Sequence, residues 1–165
     1  MSTRKITLLA VYTTIALTIF MIESAIPPLV PIPGVKLGLA NIVTLFVIKR
    51  HGIRDAALVL FMRVVLASIF AGQIVSFTYS IAGGVLCLLV MGLINFILRD
   101  EFLFVTSVFG AIAHNIGQIL VAFFVLKMSG IFAYIPFLII SGIITGLFTG
   151  LAVFFAEKKI PKFTL

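Results

Sequence analysis

Residues 26–41, IPPLVPIPGVKLGLAN, place four prolines and one lysine between two strongly apolar segments of the chain. Proline removes a backbone donor and breaks helices, so one helix ends before this stretch and another begins after it. Irregular backbone at membrane depth is tolerated only where protein or a water-filled cavity covers it. The stretch therefore indicates either a binding site close to a membrane surface or a stiff surface turn, and the residues alone leave both open.

The composition is that of an integral membrane protein. Of the 165 residues, 62% are hydrophobic and only 10% are charged, and the mean hydropathy is +1.34. Soluble domains are typically about 45–50% apolar and about 25% charged. Because one spanning helix uses about 20 residues, the length leaves no room for a separate soluble domain. We expect a single membrane domain over residues 1–165.

Six apolar segments follow one another along the chain. They are continuous runs rather than the alternating stretches of an outer-membrane barrel, and lipid-exposed backbone must satisfy its hydrogen bonds internally, so we expect helices. The second segment is too short to span a membrane unless part of the proline stretch also enters it. The sequence predicts an all-α fold, a bundle of six transmembrane helices at approximately residues 6–26, 37–48, 56–71, 76–98, 102–126 and 131–156.

The basic residues between these segments predict the topology. One set of helix ends carries nine of them, and the other carries only Lys36 and Lys127. Since cytoplasmic loops are enriched in Lys and Arg, both termini are expected in the cytoplasm and the proline stretch outside. The net charge of +7 is then a topology signal, and we expect no nucleic-acid partner. The nine are Arg4, Lys5, Lys49, Arg50, Arg54, Arg99, Lys158, Lys159 and Lys162.

Polar side chains within the apolar segments suggest a site, because such groups are costly in a membrane and often functional. Most of them fall in the central or outer half of the bilayer, on the side of the proline stretch. On the fifth helix, His114 and Gln118 share one face at four-residue spacing. We expect a substrate-binding site that opens outward and is lined by Glu23, Lys36, Asn41, Arg63, His114 and Gln118.

In this interpretation the proline stretch is a gate, and Lys36 attracts an anionic group such as a phosphate or a carboxylate. Structural interpretations also stay open. His114 and Gln118 would then only hydrogen-bond across helices, and Glu23 would only neutralise Arg63. The gate residues are Pro27, Pro31, Pro33, Gly34 and Gly38.

Small residues at four-residue spacing mark two helices as packing or docking surfaces. Gly142, Gly146 and Gly150 form two consecutive GxxxG steps on the sixth helix, which allow close approach of a neighbouring helix. Ala10 and Thr14 begin a similar ridge on the first helix. The sequence does not decide whether this ridge packs internally or against another membrane subunit.

Motifs of a self-contained enzyme are missing from the sequence. Asp55 and Asp100 are the only aspartates, so no Asp-rich pair is available to hold a diphosphate-bound Mg²⁺. There is no GxxxxGK[ST] loop, no HExxH and no Cys/His cluster. We therefore assign no catalytic residue, no metal site and no cofactor to this chain.

The segment from Glu23 to Val43, ESAIPPLVPIPGVKLGLANIV, resembles the signature of a bacterial membrane family labelled heptaprenyl diphosphate synthase component I, also called the Gx transporter family. The six-segment hydropathy pattern extends this resemblance over nearly the whole chain. The family resembles the substrate-binding S components of energy-coupling factor (ECF) transporters. S components bind a vitamin-like solute outside the cell and work with a transmembrane coupling subunit and two cytoplasmic ATPases.

The resemblance implies a location in the bacterial cytoplasmic membrane and a subunit that captures a small solute for ATP-driven transport by its partners. S components commonly carry a small-xxx-small docking motif on the first helix, and Ala10-xxx-Thr14 is the best match here. The alternative is an accessory subunit of polyprenyl diphosphate or quinone biosynthesis, bound to a soluble prenyltransferase. A third hypothesis, an autonomous lipid-modifying enzyme, would require turnover by this chain alone.

Overall fold

A computed structural model describes residues 2–26, 36–71, 74–98, 102–127 and 129–161. Within these residues the fold is entirely helical and contains no strand, which confirms the all-α prediction and the count of six α-helices. A short 3₁₀ helix, Ser129–Tyr134, leads into the last of them. The α-helices are α1 (Thr3–Ser24), α2 (Asn41–His51), α3 (Ile53–Ala71), α4 (Ile74–Leu98), α5 (Leu103–Leu126) and α6 (Ile135–Lys159).

Four stretches of helix are long and apolar enough to cross a membrane: Thr3–Ser24, Ser76–Leu98, Leu103–Leu126 and Gly130–Lys159. Large apolar side chains also lie on the surface, and Phe96 and Phe124 are 83% and 73% exposed. Water-soluble monomers rarely expose apolar patches of such extent, whereas lipid would cover them. By length and composition the chain is a membrane protein.

Several helix ends differ from the hydropathy prediction. Helix α2 begins at Asn41 rather than at residue 37, because Gly38 has φ +80 and the backbone turns there. Helix α3 begins at Ile53 rather than at residue 56. Hydropathy locates apolar residues, but hydrogen bonding continues a helix into its polar flanks.

Helix α5 lies at the centre of the packing, between α4 and α6, while α1 packs mainly on α3. The glycines of the GxxxG steps face α5: a Cβ at Gly146 would lie 2.5 Å from the Cα of Val108. The hydroxyl of Ser107 donates to the carbonyl of Gly146 at 2.6 Å. Gly142 and Gly150 likewise face Ile112 and Phe104 of α5. This close approach positions the polar residues of α5 inside the bundle.

One end of the bundle, called here the terminal end, is where α1 begins and α6 ends. Lys5 pairs with Asp55 at 2.7 Å, and Lys49 pairs with Glu157 at 3.3 Å. The guanidinium of Arg50 donates to the carbonyls of Glu157, Ile160 and Pro161 at the end of α6. Cations near a helix C-terminus stabilise it through the exposed carbonyls and the helix dipole. The opposite end, where α1 ends and α2 begins, is called the Lys36 end.

Candidate functional site

Glu23 connects the end of α1 to the start of α2. Its side chain is buried, with 4% of the residue exposed. The Oε1 atom accepts a hydrogen bond from the backbone N–H of Gly38 at 2.6 Å, and Oε2 accepts one from Leu39 at 3.0 Å. Hydrogen bonds to an ionised carboxylate are about twice as strong as neutral ones. Glu23 therefore holds residues 38–39 in place at the Lys36 end.

Gly38 is required where it lies. Its φ of +80 belongs to the left-handed region that residues with a Cβ resist. A Cβ there would also approach Nδ2 of Asn41 and Cδ2 of His114 to 2.8 Å each. The turn thus places the segment before α2 against the polar face of α5.

His114 and Gln118 occupy that face of α5 and are both buried. Nε2 of Gln118 and Nε2 of His114 are 3.1 Å apart, a hydrogen-bond distance. The amide oxygen of Gln118 accepts from the backbone N–H of Lys36 at 3.3 Å. The imidazole of His114 also packs closely on α4, because a Cβ at Gly83 would lie 2.8 Å from its Cε1 atom. These two side chains therefore join α5 to α4 and to the segment that precedes α2.

The ammonium group of Lys36 turns back toward α1. Its Nζ contacts Oγ of Ser24 at 2.5 Å and lies 3.6 Å from the ring centroid of Phe20, a cation–π distance. Partial burial lowers the pKa of the Lys36 ammonium, and the nearby Glu23 carboxylate partly offsets this effect. Lys36 is thus a half-buried cation that already has contacts within the protein.

Arg63 of α3 lies deeper in the bundle, and only 3% of the residue is exposed. Its Cζ is 5.6 Å from the ring centroid of Phe20. Among the described residues it forms no ion pair within 4.0 Å, and its Nη2 atom has no hydrogen-bond partner. The neutralising Glu23–Arg63 pair, one of the structural interpretations, does not form at that distance.

The structure brings the six residues of the predicted substrate-binding site into one region. They come from four helices and from the segment before α2. Glu23, Lys36, His114 and Gln118 join through the contacts above, and Asn41 lies beside Gly38. Arg63 lies near the same Phe20 ring as Lys36. The predicted gate residues Pro27, Pro31, Pro33 and Gly34 lie outside the described residues. Gly38 lies inside the region.

Sequence reasoning missed three residues of this region: Phe20, Ser24 and Gly83. Phe20 precedes Glu23 by three residues, so helical spacing alone could have placed it on the same face. Ser24 and Gly83 carried no signal of their own. Ala10 and Thr14 lie on an exposed face of α1, away from this region. Within the described residues, no three of His, Cys, Asp and Glu come together as metal ligands would.

Comparison with known families gives one match that covers most of the chain. The model of the family described as heptaprenyl diphosphate synthase component I matches residues 12–155. This confirms the family resemblance seen in the sequence. No curated protein and no solved structure matched the chain.

Proposed function

Since the chain belongs to the heptaprenyl diphosphate synthase component I family, we propose that it serves as the solute-binding membrane subunit of an ECF-type transporter. The observation that carries this proposal is the polar cluster at the Lys36 end. Buried ionisable and amide side chains converge there from α1, α2, α3 and α5. Placing such groups inside a membrane costs free energy, and polar residues found there often belong to binding sites.

The connection between α1 and α2 controls access to this cluster in the proposed mechanism. Glu23 and Gln118 hold its final residues through backbone N–H groups of Gly38, Leu39 and Lys36. Opening at residues 36–39 would exchange these backbone hydrogen bonds for water and would also release the ammonium of Lys36 from Ser24 and Phe20. Solute would enter from the outer face, with both termini in the cytoplasm.

Transport against a gradient requires an energy source outside this chain, whose sequence has no nucleotide-binding motif. A transmembrane coupling subunit and two cytoplasmic ATPases would supply it. The ridge on α1 suits helix docking, since Ala10 and Thr14 are exposed and small. The hydroxyl of Thr14 already donates to the carbonyl of Ala10 at 3.0 Å, so docking there would leave no unpaired donor.

The test is affinity purification of the tagged protein from its own membranes in mild detergent, followed by mass spectrometry of co-eluting proteins and small molecules. We expect a membrane coupling protein and two ATPases to co-elute with the wild type. Ala10→Phe should reduce their recovery, whereas Leu89→Phe, at an exposed position of α4, should not. Absence of ATPases from the wild-type eluate would refute the transporter proposal.

The second candidate is an accessory subunit for polyprenyl diphosphate synthesis, favoured by the description of the matched family as a synthase component. Its docking surface would be the terminal end, where the basic residues from Lys49 to Arg54 lie at the junction of α2 and α3. Recovery of a soluble prenyl diphosphate synthase without ATPases in the same purification would favour this candidate.

A further inference from the structure

We propose that the cluster at the Lys36 end binds its solute through an anionic group, a carboxylate or a phosphate, held against the guanidinium of Arg63. This proposal rests on the proposed function in one respect, namely that the cluster is a solute site. It adds the chemical class of the ligand and the residue that recognises its charge.

The first argument is the distribution of charge. The chain has only five acidic residues, and two of them, Asp55 and Glu157, are paired with lysines at the terminal end. Asp100 and Glu101 lie outside the described residues and follow Leu98 in sequence. Helix α4 approaches the terminal end well before Leu98, since Gly92 packs against the side chain of Ile53.

Glu23 is therefore the one acidic residue that the described structure places in the cluster, where two cations, Lys36 and Arg63, lie near it; Lys127, at the same end of the bundle, is exposed. The undescribed residues 27–35, PPLVPIPGV, contain no charged residue. The cluster thus has an excess of one positive charge that no side chain of the described residues neutralises.

The second argument concerns the contacts that each of these charged groups already makes within the protein. Both oxygens of Glu23 accept backbone hydrogen bonds, and Nζ of Lys36 contacts Ser24 and the ring of Phe20. Arg63 lies near the ring of Phe20, and its buried Nη2 has no hydrogen-bond partner among the described residues. Of the two cations, Arg63 is therefore the one that keeps an unpaired buried donor.

An unpaired charge in the interior is strongly destabilising unless a partner compensates it. A bound anion would supply that partner. The planar guanidinium presents two parallel N–H donors that match the oxygens of a carboxylate or phosphate, a geometry that lysine cannot reproduce. Oδ1 of Asn41 is also buried without a hydrogen-bond partner among the described residues, so the cluster holds an acceptor that a donor group of the ligand could satisfy.

The same chemistry can come from a free solute or from a phospholipid headgroup, and the experiment separates them. The protein is reconstituted in nanodiscs of phosphatidylcholine alone or with added phosphatidylglycerol. Thermal unfolding is then followed with inorganic phosphate or acetate, against chloride at equal ionic strength. The variants are Arg63→Gln, Arg63→Lys and the control Arg54→Gln, which removes an exposed arginine at the terminal end.

We expect phosphate or acetate to raise the melting temperature of the wild type and of Arg54→Gln but not that of Arg63→Gln. Arg63→Lys should retain a smaller rise. A rise seen only with phosphatidylglycerol, and lost in Arg63→Gln, would identify a lipid headgroup as the source of the anion. Without any anion, Arg63→Gln should melt no lower than the wild type, because it removes an uncompensated buried charge.

No anion-dependent rise in the wild type, or an equal rise in Arg63→Gln, would overturn the proposal. A fall in the anion-free melting temperature of Arg63→Gln, together with an anion-dependent rise equal to that of the wild type, would show that Arg63 has a purely structural role. Co-elution of ATPases tests the proposed function independently. If they co-elute and no anion stabilises the protein, only the ligand class is wrong.

Discussion

Replacement of Glu23 by glutamine should loosen the connection between α1 and α2. In the wild type both carboxylate oxygens accept backbone hydrogen bonds, from Gly38 at 2.6 Å and from Leu39 at 3.0 Å. Glutamine keeps one oxygen, but its amide NH₂ would face the other backbone N–H, donor against donor. One hydrogen bond is lost, and the one that remains is no longer assisted by charge.

The magnitude follows from the energies of such bonds. A hydrogen bond to a charged group contributes about 1.5–3 kcal/mol, and a neutral one about 0.5–1.5 kcal/mol. Removal of a buried charge offsets part of the loss, so we expect a net destabilisation of about 1–3 kcal/mol. Since about 1.4 kcal/mol is a factor of ten in an equilibrium constant, the connection should open roughly 5- to 150-fold more often.

Hydrogen exchange of the purified protein in detergent, read by mass spectrometry, measures this opening at the amides of Gly38 and Leu39. Their protection should fall by the same factor in Glu23→Gln. The matched control is Glu157→Gln, whose carboxylate pairs with Lys49 and is 27% exposed. Partly exposed ion pairs contribute about 0–1 kcal/mol, so the control should leave residues 38–39 protected. Equal protection in Glu23→Gln and the wild type would refute this reasoning.

Two further predictions concern the rest of the bundle. Gly146→Val should destabilise the protein by about 1–3 kcal/mol in reversible detergent unfolding, because its Cβ would meet the backbone of Val108 at 2.5 Å. The control is Gly130→Ala, because nothing lies within 4 Å of the added Cβ. Equal destabilisation by the two substitutions would contradict the packing argument. Burial lowers the pKa of His51, which lies beyond the apolar segment of α2 with Nε2 at 3.2 Å from the Tyr12 hydroxyl. The folded state then binds the imidazole proton of His51 less tightly than the unfolded state does, so the free energy of unfolding should fall as the pH drops below about 6.5. His51→Gln should flatten that pH dependence. An unchanged pH profile in His51→Gln would show that His51 does not cause the fall.

The sequence predicted the helical class because the relevant physics is local. Long apolar runs in a membrane have few alternatives to helix, and prolines at residues 27–33 separate the first two helices. It also predicted which polar residues converge, since an ionisable side chain within an apolar run is conspicuous and its depth follows from the helical rise. The α2 start at Asn41 was not predicted, because hydropathy does not register the positive φ of Gly38.

The partners of those polar residues could not be read from the chain. The sequence left a neutralising Glu23–Arg63 pair open as one alternative. In the structure the carboxylate binds the backbone of residues 38–39, and Arg63 has no ion pair within 4.0 Å among the described residues. Whether a carboxylate binds a guanidinium or a backbone N–H depends on distances that differ by a few tenths of an ångström. Hydropathy contains no information on such distances.

By itself, then, the sequence determined the membrane environment, the helices and the identities of the polar residues committed to the interior, because composition and spacing control these properties. The tertiary structure decided which groups each of them contacts. Contacts such as that of Lys36 with Gln118 join residues 82 positions apart, and they exist only after α1, α2 and α5 have packed. Packing satisfied both oxygens of Glu23 and left Nη2 of Arg63 without a hydrogen-bond partner among the described residues.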